Sequence, residues 1–218
     1  MAGLLSLLLL ASVAADAHPA RLVGQYDASR MELAAALELG ADGRFRYALS
    51  YGALDEQAAG TWHAEGGRVL LDSDPVKAPR FTLLSQSKEG GDNKGVDKAL
   101  HVSLQLPQGL DAQYFRAVVE LTDGRTLDGQ LSDKGLSLPL APDQHPARLQ
   151  ILLPVFEIAS DPIAVDPAKG LSFRFRFEPN DLGRVRFSGT PLTLEKDQLI
   201  LVRHGIELHF QHATRADP

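Results

Sequence analysis

Cysteine is absent from this 218-residue chain, and the charge balance is mildly acidic, with 28 acidic and 22 basic residues. The lack of cysteine excludes thiol catalysis, zinc ribbons and iron–sulfur ligation, and it leaves packing alone to stabilise the fold. The G-x-S-x-G motif of serine hydrolases and the glycine-rich loops that bind phosphate are also missing. Several common enzyme classes are therefore excluded.

Basic residues have no dense cluster in this chain of net charge −6. The closest basic pairs, Arg174/Arg176 and Arg184/Arg186, alternate with Phe and Val, as the outer faces of strands do. A mildly acidic surface repels the phosphates of nucleic acids and anionic lipid headgroups. We therefore do not expect this protein to bind nucleic acid.

A long hydrophobic run is missing too. The N-terminal apolar run from Leu4 to Leu10 is about half of the ~20 residues that span a bilayer. Small residues follow it and permit signal cleavage after Ala15 or after Ala17. Residues 1–17 are therefore predicted to be a cleaved signal peptide, and an uncut membrane anchor is the alternative because no Lys or Arg precedes the run.

Export without disulfides suits a periplasm-like space better than a harsher extracellular one. Cleavage would also remove the only apolar run of this kind, so we expect no stable membrane insertion of the mature chain. A lipid anchor is excluded because no cysteine stands at the cleavage site. The predicted location is periplasmic or secreted.

Alternation of apolar and polar residues with a period of two dominates the chain after residue 30. One face of residues 31–39 carries Met31, Leu33, Ala35, Leu37 and Leu39, and the next run places Phe45, Tyr47, Leu49 and Tyr51 on one side. The turn Ala41-Asp42-Gly43 joins these runs, and Asp-Gly between alternating segments predicts a β-hairpin. A helix over 31–39 is the alternative, since ELAAALEL has helical propensity.

Further short strands follow at similar spacing, separated by Gly and Pro turns. They are predicted at 58–64, 68–73 and 80–84, then at 99–107, 114–122, 125–132, 136–140 and 148–158, and finally at 171–178, 183–189, 198–204 and 206–212. The most polar and glycine-rich stretch, 85–98, is the predicted linker between the first two groups. No segment indicates a long amphipathic helix, so the chain is predicted to be all-β.

Two segments resemble known families. GQYDASRMELAAALELGADGRFRYALSYGALDEQAAGTWHAEGGRVLLDS, with its DG-x-F-x-Y hairpin and G-x-W strand, resembles the opening meander of lipocalin-like (calycin-like) barrels in exported bacterial proteins. TPLTLEKDQLILVRHGIELHFQHA resembles the closing hairpin of such a barrel, and residues 114–153 resemble transthyretin-like or immunoglobulin-like modules.

These resemblances imply an antiparallel lipocalin-like barrel with an inserted β-sandwich module. Residues 18–90 would form the first part of the barrel, 91–158 the inserted module and 159–218 the closing part. Two consecutive β-sandwich domains are the alternative architecture.

Aromatic residues make up only 6% of the chain, yet three of them fall on adjacent predicted strands. Tyr47, Tyr51 and Trp62 are the candidate ligand-binding residues, because aromatic side chains on one face could line a cavity for an apolar or sugar ligand. The alternative is that they fill the interior of a small barrel.

Catalytic and metal sites find less support. Possible carboxylate pairs lie at predicted turns or strand ends, where turn chemistry explains them: Asp55/Glu56, Asp72/Asp74, Asp161/Asp166 and Glu178/Asp181. Three histidines lie close together near the C-terminus: His204, His209 and His212. His209 is an odd number of residues from each of the other two, so the three side chains cannot lie on one face of a strand without a bulge. If cleavage follows Ala17, His18 would become the N-terminal residue, as in copper-dependent lytic polysaccharide mono-oxygenases. We assign no catalytic residue, no metal site and no cofactor.

The sequence therefore predicts a non-enzymatic exported module that binds a small apolar or sugar ligand or a protein of the cell envelope. A carbohydrate- or peptide-directed hydrolase is one alternative, because carboxylates distant in sequence could converge in space. An envelope copper-binding protein that uses His18 is the other.

Overall fold

The structure, a computed structural model, describes residues 20–88 and 98–213. Strands make up 59% of it and helices 5%, so the prediction of an all-β chain is confirmed. The predicted signal peptide and His18 lie outside the described residues.

Within the described part, 3-10 helices occupy Ala20–Leu22, Ala112–Tyr114 and Pro154–Phe156. The strands are β1 Gly24–Asp27, β2 Leu33–Leu39, β3 Arg44–Tyr51, β4 Leu54–Glu65, β5 Arg68–Ser73, β6 Arg80–Ser87, β7 Ala99–Gln105, β8 Arg116–Leu121, β9 Thr126–Gln130, β10 Leu136–Pro139, β11 Pro146–Leu153, β12 Ile158–Ala159, β13 Ile163–Ala164, β14 Ser172–Glu178, β15 Thr190–Glu195, β16 Gln198–Arg203 and β17 Ile206–His212.

The chain divides into two compact units. The described residues of the first unit fall within Met1–Leu49, Gln57–Asp74 and Arg186–Pro218. Those of the second fall within Ser50–Glu56 and Pro75–Val185. The second unit is therefore built mainly from one continuous segment that lies between β5 and β15 in the sequence.

The first unit is a closed antiparallel barrel of eight strands, in the order β1-β17-β16-β15-β5-β4-β3-β2. Its first and last strands are neighbours, with Tyr26 opposite His212. Closure leaves no unpaired strand edge, which is the usual hazard of an open sheet. The predicted closed barrel is confirmed.

The barrel interior is filled by side chains that alternate along each strand. β2 buries every second residue, and eight strands enclose a space about wide enough for side chains to fill. The helix alternative for 31–39 is wrong, because this period of two suits a strand and not a helix. Interior residues exposed by 4% or less include Leu33, Ala35, Leu37, Leu39, Phe45, Tyr47, Leu49, Trp62, Val69, Leu71, Leu192, Leu199, Leu201, Leu208 and Phe210.

Met31 departs from the expected pattern. It was grouped with the buried face of β2, but its side chain is 91% exposed. The reason is that the strand begins only at Leu33, after a turn in which Glu32 has a φ of 63°.

The second unit is a β-sandwich. One sheet has the order β10-β7-β14-β6, with β7 and β14 parallel, and the other has the order β12-β11-β8-β9, with β13 also paired to β11. Buried residues of both sheets form one core: Leu100, Val102, Ala112, Phe115, Ala117, Val119, Leu121, Leu131, Leu140, Leu149, Ile151, Leu153, Val165, Phe173, Phe175 and Phe177. Two consecutive sandwiches are therefore excluded, because β15–β17 follow this segment in the sequence and pair with earlier strands to complete the barrel.

The strands at both junctions belong to the sandwich rather than to the barrel. The expected boundaries at 90 and 158 placed β6 and β14 in the barrel, but the two strands pair with each other in the four-stranded sheet. The barrel closes without them because β5 pairs directly with β15. β14 buries Phe173, Phe175 and Phe177 in the sandwich core. Alternation in the sequence shows that a strand has one buried face, but it does not show which of the two cores that face packs into.

Candidate functional site

The aromatic residues predicted to bind a ligand occupy different environments. Tyr47 and Trp62 are buried in the barrel, whereas Tyr51, at the end of β3, is 54% exposed. The indole Nε1 of Trp62 donates a hydrogen bond to the Gly40 carbonyl at 3.0 Å. The Tyr47 ring meets the Phe187 ring edge-on, with the centroids 5.2 Å apart. Tyr47 and Trp62 thus contribute to the packing of the barrel.

Most of the predicted carboxylates serve loops and ion pairs. Asp72 accepts a hydrogen bond from the Gly189 amide at 2.7 Å, and Asp181 accepts one from the Lys77 amide at 2.8 Å. Asp166 accepts one from the Ala168 amide at 3.0 Å, while Asp74 pairs with Arg44. Glu56, near the start of β4, is buried, with 4% of its surface exposed.

The histidines of the C-terminal hairpin do not come together. His204 lies in the turn between β16 and β17 with a φ of 49°, and His209 lies between Gln198 and Glu207. His212 packs its ring against Tyr26, with the centroids 4.2 Å apart. Among the described residues, no group of three or more His, Asp or Glu side chains could hold a metal ion.

A different candidate site begins with β14, whose sequence SFRFRFE alternates strictly. Phe173, Phe175 and Phe177 are buried, so Arg174 and Arg176 project from the opposite face of the strand and are exposed. β14 is a central strand, flanked by β7 on one side and β6 on the other. The two arginines therefore lie in the middle of the solvent-exposed face of the sheet.

Strand register sets the neighbours of each arginine. Arg174 is opposite Ser103 on β7 and Ser85 on β6, while Arg176 is opposite Gln105 and Thr82. Residues that pair across a sheet share a face, so each guanidinium has an uncharged polar side chain on either side. We call these residues, with His101 and Ser137 beside them, the arginine face: Thr82, Ser85, His101, Ser103, Gln105, Ser137, Arg174 and Arg176.

Neither Arg174 nor Arg176 has a hydrogen bond or an ion pair to any side chain in the described part of the chain. On the outer face of the other sheet, in contrast, Arg116 pairs with Asp128 and Arg148 pairs with Glu120 at 3.4 Å. The arginines of β14 therefore keep their charge and their guanidinium donors available to a partner, whereas those of the other sheet are each paired with a carboxylate.

The one carboxylate that strand pairing places beside the arginine face, among the described residues, is Glu178 at the end of β14. Arg80 holds it, with Nη2 2.6 Å and Nε 2.7 Å from Oε2. This hydrogen-bonded pair lowers the pKa of Glu178, with smaller contributions from the charges of Lys77 and Arg176. Glu178 therefore stays ionised and makes its ion pair with Arg80, and it has no ion pair with Arg174 or Arg176.

Chemically, the arginine face can bind anions. A guanidinium presents a planar fork of donors that matches a carboxylate or phosphate, and Ser, Thr and Gln side chains add donors and acceptors. The alternation of Arg174 and Arg176 is visible in the sequence, but their neighbours on β6 and β7 are set by strand register: Ser103, Gln105, Ser85 and Thr82. The one available signal was the clean SFRFRFE pattern.

Comparison with known proteins adds no function. No protein-family model, curated protein or solved structure matches this chain. Within residues 20–88 and 98–213, no helix is both long and apolar enough to cross a membrane.

Proposed function

We propose that this chain is a non-enzymatic exported protein, periplasmic or secreted, that binds an anionic partner through the arginine face. The observation that carries this proposal is the pair of exposed guanidinium groups of Arg174 and Arg176 without ionic partners in the described structure. The chain as a whole has a net charge of −6, so these two arginines form a cationic spot on an acidic protein.

The spacing of the two arginines supports a binding role. Arg174 and Arg176 are two residues apart on one strand, which separates their Cα atoms by about 6.6 Å, so their charges repel each other weakly through solvent. Arg116 and Arg148 show that the same sandwich can neutralise arginines by cross-strand pairing. An anionic partner would relieve the repulsion on β14 in the same way.

Binding has more support than catalysis. Three of the carboxylates considered for a hydrolase are engaged elsewhere: Glu178 with Arg80, Asp74 with Arg44, and Asp181 with the Lys77 amide. A small apolar or sugar ligand at the predicted aromatic site also has less support, because Tyr47 and Trp62 pack the barrel. The copper alternative rests on His18 alone.

Export rests on the sequence of residues 1–17. The apolar run, the small residues near Ala15 and Ala17 and the lack of cysteine all suit a protein that crosses the inner membrane and matures outside the cytoplasm. In that compartment, an anionic partner would be a macromolecule of the envelope or its surroundings.

Binding to polyanions tests the proposal. The probes are polygalacturonate, polyglutamate and polyphosphate, each titrated into the mature protein by calorimetry at low salt and at about 0.15 M salt. We expect at least one probe to bind and the double variant R174T/R176T to weaken that binding at least tenfold. Threonine suits an exposed strand position, so the fold should persist.

The matched control is R116T/R148T. It removes the same number of charges from the opposite sheet of the same sandwich, where both arginines are already paired. This control should bind within about twofold of the unmodified protein, since exposed ion pairs contribute little to stability. Failure of all three probes to bind, or equal weakening by both double variants, would contradict the proposal.

A further inference from the structure

We infer that the anionic partner of the arginine face is a carboxylated polysaccharide. This inference rests on the proposed function, because it names the chemical class that binds to the same face. The arrangement of uncharged side chains around the two arginines, together with their charge, favours this class of partner.

The arginine face consists of two similar rows that run across the strands. One row contains Ser103, Arg174 and Ser85, and the next contains Gln105, Arg176 and Thr82. Each row thus has one guanidinium with a neutral polar side chain on either side. The Ser103 hydroxyl donates to the Phe173 carbonyl at 3.4 Å, which leaves its oxygen as an acceptor. A sugar unit that carries one carboxylate among several hydroxyl groups offers the complementary set, and a polymer offers it repeatedly.

The dimensions of the rows suit an extended chain. Neighbouring strands are about 4.8 Å apart, and successive rows on one face are about 6.6 Å apart along the strand. The rows end at the Arg80–Glu178 ion pair on one side. On the other side, His101 and Ser137 continue the polar face beside Ser172. An open sheet face with two successive rows fits an extended polymer better than a compact ligand.

The composition of the face argues against other polyanions. Protein interfaces usually depend on buried aromatic or aliphatic anchors, and the arginine face contains none. A membrane surface requires apolar side chains that enter the lipid, and single-stranded nucleic acid requires aromatic rings for base stacking. The nearest aliphatic candidate is Leu84 on β6, which is 37% exposed where the register with β14 shifts.

Affinity is expected to depend on chain length. Exposed ion pairs are individually weak, so a single sugar acid should not saturate the face. A polymer engages both rows at once and presents many overlapping binding registers, which raises its apparent affinity. The guanidinium fork also matches the planar carboxylate, whereas a neutral ester of the same sugar offers no charge.

The test compares polygalacturonate with its methyl ester, with polyglutamate and with galacturonate monomer, using the full mature chain. Polygalacturonate carries the carboxylates on a sugar chain, its methyl ester lacks the charge, and polyglutamate carries carboxylates on a peptide chain. We expect polygalacturonate to bind at least tenfold more tightly than either of the other two, and galacturonate monomer not to saturate the protein.

Two variants separate the role of charge from that of the neutral neighbours. R174T/R176T should abolish binding of polygalacturonate. S103A/Q105A should weaken it several-fold and leave any residual polyglutamate binding unchanged, because those two side chains are assigned to sugar hydroxyls. Circular dichroism confirms that each variant keeps its strand content.

The outcomes are distinguishable from those of the proposed function. If polyglutamate or polyphosphate binds as tightly as polygalacturonate, and R174T/R176T abolishes that binding, the polysaccharide inference is overturned and the anion-binding function stands. If S103A/Q105A changes nothing, the inference is likewise overturned. If no polyanion binds at all, both fail.

Discussion

At Gly60 on β4, an added Cβ would overlap the backbone of the neighbouring strand, lying 2.6 Å from the Cα of Ser73 and closer still to the Asp72 carbonyl. The same change at Gly129 on β9 would meet only side-chain ends, with Leu136 Cδ1 at 2.8 Å. A leucine methyl can rotate away, whereas paired backbone cannot. The two glycines therefore differ in what they tolerate.

We predict that Gly60→Ala lowers the free energy of unfolding by at least about 2 kcal/mol, in the range of overpacked cores, and that Gly129→Ala costs less than about 1 kcal/mol. Urea unfolding followed by circular dichroism measures both. Equal losses for the two variants would show that the approach of β4 to β5 is looser than the structure indicates.

The aromatic residues show what residue identity can and cannot reveal. Alternation correctly placed Tyr47 on the buried side of β3, but it also placed Tyr51 there, and that side chain is exposed. Parity alone does not distinguish an aromatic ring that lines a cavity from one that fills a core. That distinction depends on contacts such as Tyr47 with Phe187, which comes from a remote part of the chain.

At the scale of the element, β14 combines two roles on opposite faces. Phe175 is fully buried in the sandwich core, and the adjacent Arg174 is exposed without an ionic partner among the described residues. The Phe side sustains the fold and the Arg side is available for binding. A single strand can serve both roles because successive side chains point in opposite directions.

We predict that Phe175→Ala lowers the free energy of unfolding by about 3–5 kcal/mol, as the removal of a buried ring usually does. Arg174→Thr should change it by no more than about 0.5 kcal/mol. Denaturant titrations of the two single variants provide the comparison. A large loss for Arg174→Thr would mean that the arginine stabilises the fold, which would weaken its assignment to binding.

The partner of an element is harder to predict than its type. The sequence predicted strands at 80–84 and 171–178, and both exist, but they were placed in the barrel. Their actual pairing, Phe175 opposite Leu83, joins segments that are far apart in the chain. Alternation is identical in a barrel strand and a sandwich strand, so only the complete set of pairings separates them.

In the molecule as a whole, the strands of the barrel come from both sides of the sandwich segment in the sequence. β5 pairs with β15 and β1 pairs with β17, so the barrel needs both ends of the described chain. Pairings this distant carry a large loop-closure cost before they contribute, which makes folding slow. They also make the barrel dependent on the return of the chain after Val185.

The N-terminus gives a prediction at this scale. The described chain begins at Ala20, and Leu22 is 6% exposed, with the Tyr26 hydroxyl donating to its carbonyl at 2.8 Å. Cleavage after Ala15 or Ala17 would leave this contact intact. We expect N-terminal sequencing of protein from fractionated cells to begin at Asp16 or His18. An intact Met1 terminus in the membrane fraction would contradict export by signal cleavage.

Alternation and glycine turns are local properties of the chain, so they are enough to predict an all-β protein and the inward side of most strands. They do not predict which strands pair, which strands belong to the barrel or to the sandwich, or which side chains surround Arg174 and Arg176. Those facts depend on register between segments distant in the chain, and register is set by the packing of the whole core.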